Sequence, residues 1–279
     1  MKNTLRCLIL NDQVSLTAID TTELVKKGIQ LHHLSKSAAT TLGKVLSCVA
    51  FMSAALKEKK GQISVSLKGN GAGGSIGVSG DFAMHLRGYI DEPNANGNEQ
   101  SLLGESGSLT VVRDDGYARP FVGSCAYEKM NVDEAFEEYY RISEQLPTFI
   151  GSSVRFNEND ELAFAGICVL QPLPFADEKA VEELPKGEAL RALTAEMEEK
   201  GINGLQERFS IDGKKIEWKN AVYQCHCSRE YLAEVLTSLG EAEMRRIVQE
   251  DGQIKAHCHY CNTDYVFKEE DIDGIFSGR

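Results

Sequence analysis

Two closely spaced cysteine pairs near the C-terminus constrain this chain more than any other feature. Cys225 and Cys227 form a Cys-x-Cys motif, and Cys258 and Cys261 form a Cys-x-x-Cys motif about thirty residues later. Each pair lets two thiolates bind one ion, and two pairs supply the four sulfurs, each about 2.3 Å from the metal, of a closed zinc site. We therefore predict one structural Zn²⁺ held by these four cysteines. Because oxidants attack thiolates, oxidation could dismantle the site.

Other uses of these cysteines fit the surrounding sequence less well. Isolated buried cysteines behave as small hydrophobic residues, but double pairing is not typical of them. A thioredoxin-like Cys-x-x-Cys belongs at a strand-to-helix corner of a βαβ unit, and residues 250–270 do not follow that pattern. His226, His257 and His259 lie close enough in sequence to be substitute ligands, although four sulfurs already complete a tetrahedral site.

The composition is that of a globular protein with enough residues for two folded units. The 279 residues are 42% hydrophobic, which allows a substantial core. The formal net charge of −12 argues against general affinity for the phosphate backbone of DNA or RNA. We therefore expect no nucleic-acid partner.

The N-terminal sequence and the cysteine content indicate a cytoplasmic protein. The first apolar run, residues 7–10, is too short for the apolar region of a signal peptide. We expect no membrane partner, because no apolar stretch approaches the length of a membrane span. The chain has eight cysteines and no export signal, which points to a reducing compartment where paired cysteines bind metal more often than they form permanent disulfides.

The apolar pattern predicts an α+β protein whose first part, residues 1–175, is a mixed α/β domain. Strand patterns occur at residues 63–67, 84–90, 108–111 and 162–170. Apolar residues at steps of three and four predict one amphipathic helix within residues 35–57. A second predicted helix covers residues 132–145, with Ile142 on its apolar side, and stops before Pro147.

A charged linker is predicted at residues 176–220. Three prolines between positions 172 and 185 interrupt helix and strand near its start. From Asp177 to Asn220, 19 of 44 residues are Asp, Glu, Lys or Arg, so the segment can bury little apolar surface by itself. A thin helical stripe is formed by Leu190, Leu193 and Met197. It predicts a marginal helix that depends on the rest of the protein, which makes the linker a candidate for conditional unfolding.

The C-terminal unit, residues 221–279, is too small to rely on a hydrophobic core alone. The apolar pattern predicts a helix over 231–239 and another over 244–248, each ending near a glycine. A predicted β-hairpin follows and carries the second cysteine pair at its tip, whereas the first pair comes just before the first helix. Without metal we expect this unit to be largely unfolded.

Three other features are interpreted as structural. Residues 69–74 match a G-x-G-x-x-G pattern, but the next residues alternate like a strand, which predicts a glycine-rich hairpin and no phosphate-binding helix. His32 and His33 have no third partner for nucleophilic catalysis, and Ser35 or Ser37 is expected to cap the following helix. The isolated cysteines are interpreted as structural: Cys7, Cys48, Cys125 and Cys168.

Several longer segments accompany the cysteine pairs in a specific order. They are Ser66–Gly71, Arg87–Tyr89, Gly104–Val111, Ser143–Thr148 and Leu170–Pro174. Together with the cysteines, they resemble the redox-regulated 33-kilodalton heat-shock chaperone family over nearly the whole chain. The sequence departs from the family at His226 and His259, which fill variable positions within the cysteine pairs, and at Lys36, where a proline is common. These departures remove no metal ligand.

The resemblance implies a stress-response chaperone and not an enzyme. It implies a cytoplasmic, ATP-independent holdase that binds unfolded or partly unfolded client proteins. In the family, the reduced zinc-bound form is inactive, and oxidation activates it through disulfides, here Cys225–Cys227 and Cys258–Cys261, with release of zinc. An activation-linked homodimer is also implied. The composition is compatible with these events, since loss of zinc would destabilise the small unit and remove support from the charged linker.

Two functions of other classes stay open. The α/β domain could be an enzyme or a small-molecule-binding domain that a purely structural zinc domain stabilises. Nucleotide binding, or an activity that depends on Gly71, would favour that alternative. An acidic zinc-dependent adaptor would instead require a constitutive partner that is insensitive to peroxide.

Overall fold

The structure is a computed structural model that describes residues 2–117, 119–209, 211 and 217–277. The chain divides into two compact units, Met1–Gln224 and Cys225–Arg279, and the mixed helix-and-sheet composition confirms the predicted fold class. Within the predicted linker, Ser210 and residues 212–216 lie outside the described residues. The division into core domain, metastable linker and zinc domain stays a prediction.

The larger unit contains strands β1 to β11 and helices α1 to α8. In chain order they are β1 (Thr4–Ile9), β2 (Val14–Asp20), α1 (Thr22–His32), α2 (Lys36–Ala54), β3 (Gln62–Gly69), β4 (Ser75–Asp81), β5 (His85–Ile90), α3 (Glu99–Leu103), β6 (Ser106–Asp114), β7 (Phe121–Glu128), α4 (Val132–Tyr139), a π-helical turn (Tyr140–Glu144), β8 (Phe149–Phe156), β9 (Leu162–Pro172), α5 (Glu178–Glu182), α6 (Gly187–Ala195), α7 (Met197–Lys200), α8 (Asn203–Arg208), β10 (Glu217–Lys219) and β11 (Val222–Tyr223).

Two sheets form the frame of the larger unit. Among the described residues, one has five strands in the order β10-β1-β2-β9-β8, and the other has six in the order β11-β5-β4-β3-β6-β7. All neighbouring strands run antiparallel except β11 and β5. The predicted glycine-rich hairpin is confirmed as β3 and β4. Side chains at Gly69 or Gly71 would collide with the backbone of residues 102–104, so close packing requires these glycines.

Helix α2 contacts strands of both sheets. As predicted, Ser35 caps it, because its hydroxyl accepts a hydrogen bond from the amide of Ala38 at 3.1 Å. The prediction of an amphipathic helix is wrong, since residues on all its faces are buried. The face of α2 that lacks large apolar residues is also buried, and it carries small residues such as Gly43 and Ser47. A search for large apolar residues does not detect this face as buried.

The expectation that no apolar stretch approaches the length of a membrane span is wrong for helix α2. Lys36–Ala54 has 19 residues and a mean hydropathy of 1.2 in its most apolar window, so its length and composition meet those of a membrane span. However, 83% of that window is buried inside the protein. This burial is the pattern of a core helix enclosed by two sheets.

The second predicted helix is interrupted by a π-helical turn. Helix α4 ends at Tyr139, and the turn Tyr140–Glu144 is followed by Gln145 in the left-handed conformation, with φ of 54°. The extra residue in a π turn shifts the phase of the side chains. As a result, Ile142 is 45% exposed, and its predicted place on the apolar side is wrong.

The charged segment covers one face of the five-stranded sheet. Its predicted stripe is confirmed as buried: Leu190, Leu193 and Met197 are at most 3% exposed. They pack in a cluster with residues of β1, β2 and β9, including Cys7, Phe164 and Cys168. The described part of the segment thus shields an apolar sheet face, and several of its charged residues, such as Glu178, Glu182 and Glu199, are exposed.

Two acidic residues of α4 lie below this segment. Asp133 is 1% exposed, accepts hydrogen bonds from the amide and hydroxyl of Ser152, and lies 3.5 Å from the guanidinium of Arg191 in α6. Glu137 accepts a hydrogen bond from the amide of Ile150 at 2.7 Å. Burial raises the pKa of Asp133, and it raises the pKa of Glu137 from 4.5 to about 7.

We expect Glu137 to make the stability of the larger unit depend on pH. Between about pH 4.5 and pH 7 the folded protein binds a proton at Glu137 that the unfolded chain releases. The contribution of this proton to the free energy of unfolding is therefore complete below pH 4.5 and is lost as the pH rises through 7. After discounting for its partial exposure, the effect is about 1–2 kcal/mol. Glu137→Gln should therefore be more stable than the wild type at pH 8, and this advantage should shrink at pH 5.5.

Urea unfolding, followed by the fluorescence of Trp218, measures this difference, because the single tryptophan of the chain lies in the larger unit. Asp133 is unchanged in the variant, but its charge helps to raise the pKa of Glu137, so the measured difference reports on the two coupled carboxylates together. An equal stability difference at pH 8 and pH 5.5 would contradict the assignment.

The smaller unit contains α9 (Arg229–Leu236), a 3₁₀ turn (Thr237–Leu239), α10 (Glu241–Asp251), β12 (Ile254–Cys258), β13 (Thr263–Phe267) and α11 (Glu269–Ser277). The two predicted helices and the β-hairpin are confirmed, whereas α11 was not predicted. Five residues form its buried cluster: Met244, Val248, Ile254, Phe267 and Ile272. This core is small, so the unit needs a further source of stability.

Candidate metal centre

Local elements of the smaller unit hold each of the four predicted cysteines. Cys225 and Cys227 come just before α9, whose first turn is capped by Ser228, since its hydroxyl accepts a hydrogen bond from the amide of Tyr231. Cys258 ends β12, and Cys261 lies in the turn that leads to β13. The turn closes through Asn262, which has a left-handed backbone with φ of 52°. Both cysteine pairs therefore lie next to defined turns.

The four cysteine sulfurs form one cluster. All four Sγ atoms lie within 4.8 Å of one another. The Sγ of Cys225 is 3.3 Å from that of Cys227 and 3.7 Å from that of Cys258, and the Sγ of Cys227 is 3.1 Å from that of Cys261. Tetrahedral coordination with bonds of about 2.3 Å places sulfurs about 3.8 Å apart. The cluster could therefore hold a metal ion after a small expansion.

These distances do not select one disulfide pairing. The sulfurs of Cys225 and Cys227 are 3.3 Å apart, but those of Cys227 and Cys261 are slightly nearer, at 3.1 Å. All four cysteines are thiols of intermediate exposure in the structure. The pairing implied by the family resemblance, Cys225–Cys227 and Cys258–Cys261, stays a prediction.

The environment of the sulfurs differs within the cluster. Burial raises the pKa of the Cys225, Cys227 and Cys261 thiols. At Cys258 burial acts in the same direction, but hydrogen bonds from the backbone N–H groups of Cys261 and Tyr260, together with bonds to neighbouring sulfurs, lower the pKa overall. The Cys-x-x-Cys turn thus stabilises a thiolate at Cys258, which is the ionic form that metals bind.

Two further residues hold the site in place. The hydroxyl of Tyr265 in β13 lies 3.3 Å from the Sγ of Cys227, so it can donate a hydrogen bond to a thiolate there. Arg229 donates to the carbonyl of Val266 at 2.6 Å and to Asp271 at 2.7 Å, and its guanidinium lies 4.5 Å from the ring centre of Phe267. Arg229 therefore ties the start of α9 to β13 and α11. The sequence pattern did not single out Tyr265.

The nearby histidines do not belong to the four-sulfur cluster. Among the described residues, no histidine or carboxylate joins the group of potential ligands that these four cysteines form. His257 binds Asp264 through Nδ1 at 2.7 Å, and its ring packs edge-on against that of His259 with 5.0 Å between centres. Lys255 pairs with the same carboxylate at 3.0 Å.

The interpretation of the isolated cysteines as structural agrees with the burial of all four: Cys7, Cys48, Cys125 and Cys168.

Comparisons with known proteins agree over the full chain. The family model described as Hsp33 protein matches residues 3–268. The 33 kDa chaperonin of Clostridium botulinum (strain Langeland) is 31% identical over 290 residues, covering 99% of this chain and 97% of that protein. The 33 kDa chaperonin of Bacillus mycoides is 30% identical over 282 residues, covering 97% of each.

A solved structure has the same fold. The crystal structure of the 33 kDa chaperonin (heat shock protein 33 homolog) from Thermotoga maritima matches with a TM-score of 0.82 and 24% identity. The match covers 99% of this chain and 98% of that one. From the extent of these matches, the chain belongs to the Hsp33 protein family.

Proposed function

We propose that the protein is a redox-regulated, ATP-independent chaperone that binds unfolding client proteins under oxidative stress. Membership of the Hsp33 family and the name 33 kDa chaperonin of its relatives support a chaperone function. The reduced form would hold one Zn²⁺ on Cys225, Cys227, Cys258 and Cys261 and be inactive. The active form would be a cytoplasmic holdase, a homodimer as the family resemblance implies, and it needs no catalytic site.

The observation that carries this proposal is the position of the sulfur cluster in a unit with a small core. Five buried residues make up that core. A structural zinc site contributes on the order of 10 kcal/mol, comparable to the stability of a whole domain. The same four sulfurs would then both stabilise the unit and respond to oxidants.

The oxidation step balances with peroxide as the oxidant. Two thiolates lose two electrons and form one disulfide, while hydrogen peroxide takes up these electrons and two protons and becomes two waters. The two proposed disulfides therefore consume two peroxide molecules. Because sulfurs in a disulfide no longer bind Zn²⁺ as thiolates, the metal is released.

Activation would expose the sheet face that the charged segment covers. The smaller unit begins at Cys225, directly after the β11 strand and the charged segment along the chain. When the smaller unit unfolds, we expect this segment, which precedes it along the chain, to leave the sheet. The cluster around Leu190 and Phe164 then supplies apolar surface for clients.

We expect peroxide treatment to switch on suppression of aggregation. The protein, pretreated with peroxide at a mildly denaturing temperature, should keep a heated model client in solution, whereas the reduced zinc form should have little effect. Thiol and zinc counting in the same samples should show four thiols lost and one Zn²⁺ released. Suppression no better than that of the reduced form, despite loss of zinc, would refute the proposed regulation.

A further inference from the structure

The sulfurs of the cluster differ in the hydrogen-bond donors that surround them. The Sγ atoms of Cys225 and Cys258 accept hydrogen bonds from backbone N–H groups of their own turns. Among the described residues, the partners of the Cys227 sulfur are the hydroxyl of Tyr265, at 3.3 Å, and neighbouring cysteine sulfurs. Cysteines that bind a metal as thiolates have no proton to donate. In that state the Tyr265 hydroxyl is the donor that the described structure leaves to Cys227.

The hairpin and the start of α9 hold Tyr265 beside this sulfur. Tyr265 lies opposite Ala256 in the pairing of β13 with β12, and its ring packs against the buried cluster of the smaller unit. Arg229, two residues after Cys227, donates to the carbonyl of Val266, the residue after Tyr265. This bond ties β13 to the chain that follows Cys227. Both partners of the 3.3 Å contact are therefore fixed by the fold.

The Cys227 sulfur is open to small oxidants and close to other sulfurs. Cys227 and Tyr265 are each of intermediate exposure, so a molecule as small as peroxide can reach the contact between them. The Sγ atoms of Cys225 and Cys261 lie 3.3 and 3.1 Å from that of Cys227. A sulfenic acid formed at Cys227 would therefore have a second sulfur within reach for a disulfide, whichever cysteine supplies it.

Peroxide oxidises a thiolate by nucleophilic displacement. The sulfur attacks one peroxide oxygen, the O–O bond breaks, and the departing hydroxide takes up a proton and becomes water. A second thiolate then displaces the hydroxyl group of the sulfenic acid, which leaves as another water when the disulfide forms. The attacking sulfur loses its negative charge in the first step, so a hydrogen bond to that charge weakens as the reaction proceeds. A donor to the thiolate therefore slows the attack.

We propose that Tyr265 protects the metal centre from oxidants, because its hydroxyl donates a hydrogen bond to the Cys227 thiolate. Tyr265 acts through Cys227 and is a positioning residue that is not itself oxidised. The strength of this hydrogen bond sets how much peroxide the cluster withstands before its sulfurs pair. The consequence for activation rests on the proposed function, whereas the protection of Cys227 by the hydroxyl does not.

Tyr265→Phe tests the hydroxyl, because it keeps the ring. Reduced, full-length zinc proteins are treated with peroxide, and a chromogenic chelator follows the release of zinc. We expect the variant to release zinc about fivefold faster, the factor that corresponds to part of one hydrogen bond to a charged group. Tyr231→Phe makes the same change at a 56% exposed site on α9 and should release zinc at the wild-type rate. Equal rates for Tyr265→Phe and the wild type would overturn the proposal.

Two further measurements separate protection from a loss of structure. Without peroxide, excess chelator should remove zinc from the variant and the wild type at the same rate. Faster removal from the variant would assign Tyr265 a purely structural role and overturn the proposal. Brief treatment with N-ethylmaleimide, followed by peptide mapping, should place a larger share of the first adducts on Cys227 in Tyr265→Phe than in the wild type. An unchanged share would refute the protection of Cys227.

The peroxide experiment also distinguishes this proposal from the proposed function. If the wild type releases zinc as fast as Tyr265→Phe, protection by the hydroxyl is refuted and redox regulation stays intact. If the wild type keeps its zinc in peroxide while the variant releases it, protection is supported and the redox-regulated chaperone is refuted. Retention of zinc by both proteins would refute both proposals.

Discussion

Replacing Cys258 with serine is expected to unfold the smaller unit while the larger unit stays folded. The change removes one of the four sulfurs of the proposed zinc site, and it removes the sulfur whose pKa the Cys-x-x-Cys turn lowers. A structural zinc site contributes on the order of 10 kcal/mol, which the five-residue core of this unit cannot replace. Zinc content should fall well below one per chain, and the helical signal of α9 to α11 should be lost.

Circular dichroism and zinc analysis measure these losses, and limited proteolysis reports on the rest of the chain. Cleavage between Asp177 and Phe209 should become faster, and the variant should suppress aggregation partly without peroxide. Cys125→Ser is the matched control, because Cys125 is buried in the larger unit and lies outside the sulfur cluster. A Cys258→Ser protein with full zinc content, or with unchanged proteolysis of this segment, would contradict the prediction.

The four-sulfur cluster could be predicted from the sequence because its geometry is local. The Cys-x-Cys and Cys-x-x-Cys spacings each place two sulfurs on one short turn, and the intervening helices and hairpin are visible in the apolar pattern. Their convergence to within 4.8 Å follows once both turns belong to one small unit. Tyr265 could not be singled out, since its contact with Cys227 depends on how β13 pairs with the rest of the hairpin.

Features that depend on tertiary packing were harder to predict. Helix α2 is buried on all faces because two sheets enclose it, and no periodicity in its own sequence reveals a second sheet. The π-helical turn after Tyr139 changes which residues face inward, so Ile142 was assigned to the wrong side. The carboxylates of α4 accept hydrogen bonds from backbone amides at the edge of β8. No pattern in the sequence predicts that these two elements are in contact.

Replacing Gly151 with alanine is expected to displace the charged segment without touching a cysteine. Gly151 lies in β8 beneath α6, where an added Cβ would be 2.6 Å from the carbonyl carbon of Leu190 and 2.7 Å from the amide nitrogen of Arg191. These are backbone atoms, so the whole helix must move. The displacement would separate Arg191 from Asp133 and lift the stripe off the sheet. Overpacking of this kind costs about 3 kcal/mol.

The reduced Gly151→Ala protein should keep its Zn²⁺ and yet be cleaved faster between Asp177 and Phe209, as measured by limited proteolysis with mass mapping. If the covered sheet face binds clients, the variant should also suppress aggregation without peroxide. Gly28→Ala is the control, because a Cβ there would make only ordinary contacts of 3.7 and 3.8 Å with Tyr223 and Leu46. Faster cleavage without any suppression would show that exposing this sheet face is not sufficient for activity, and client binding would then require the unfolded smaller unit itself.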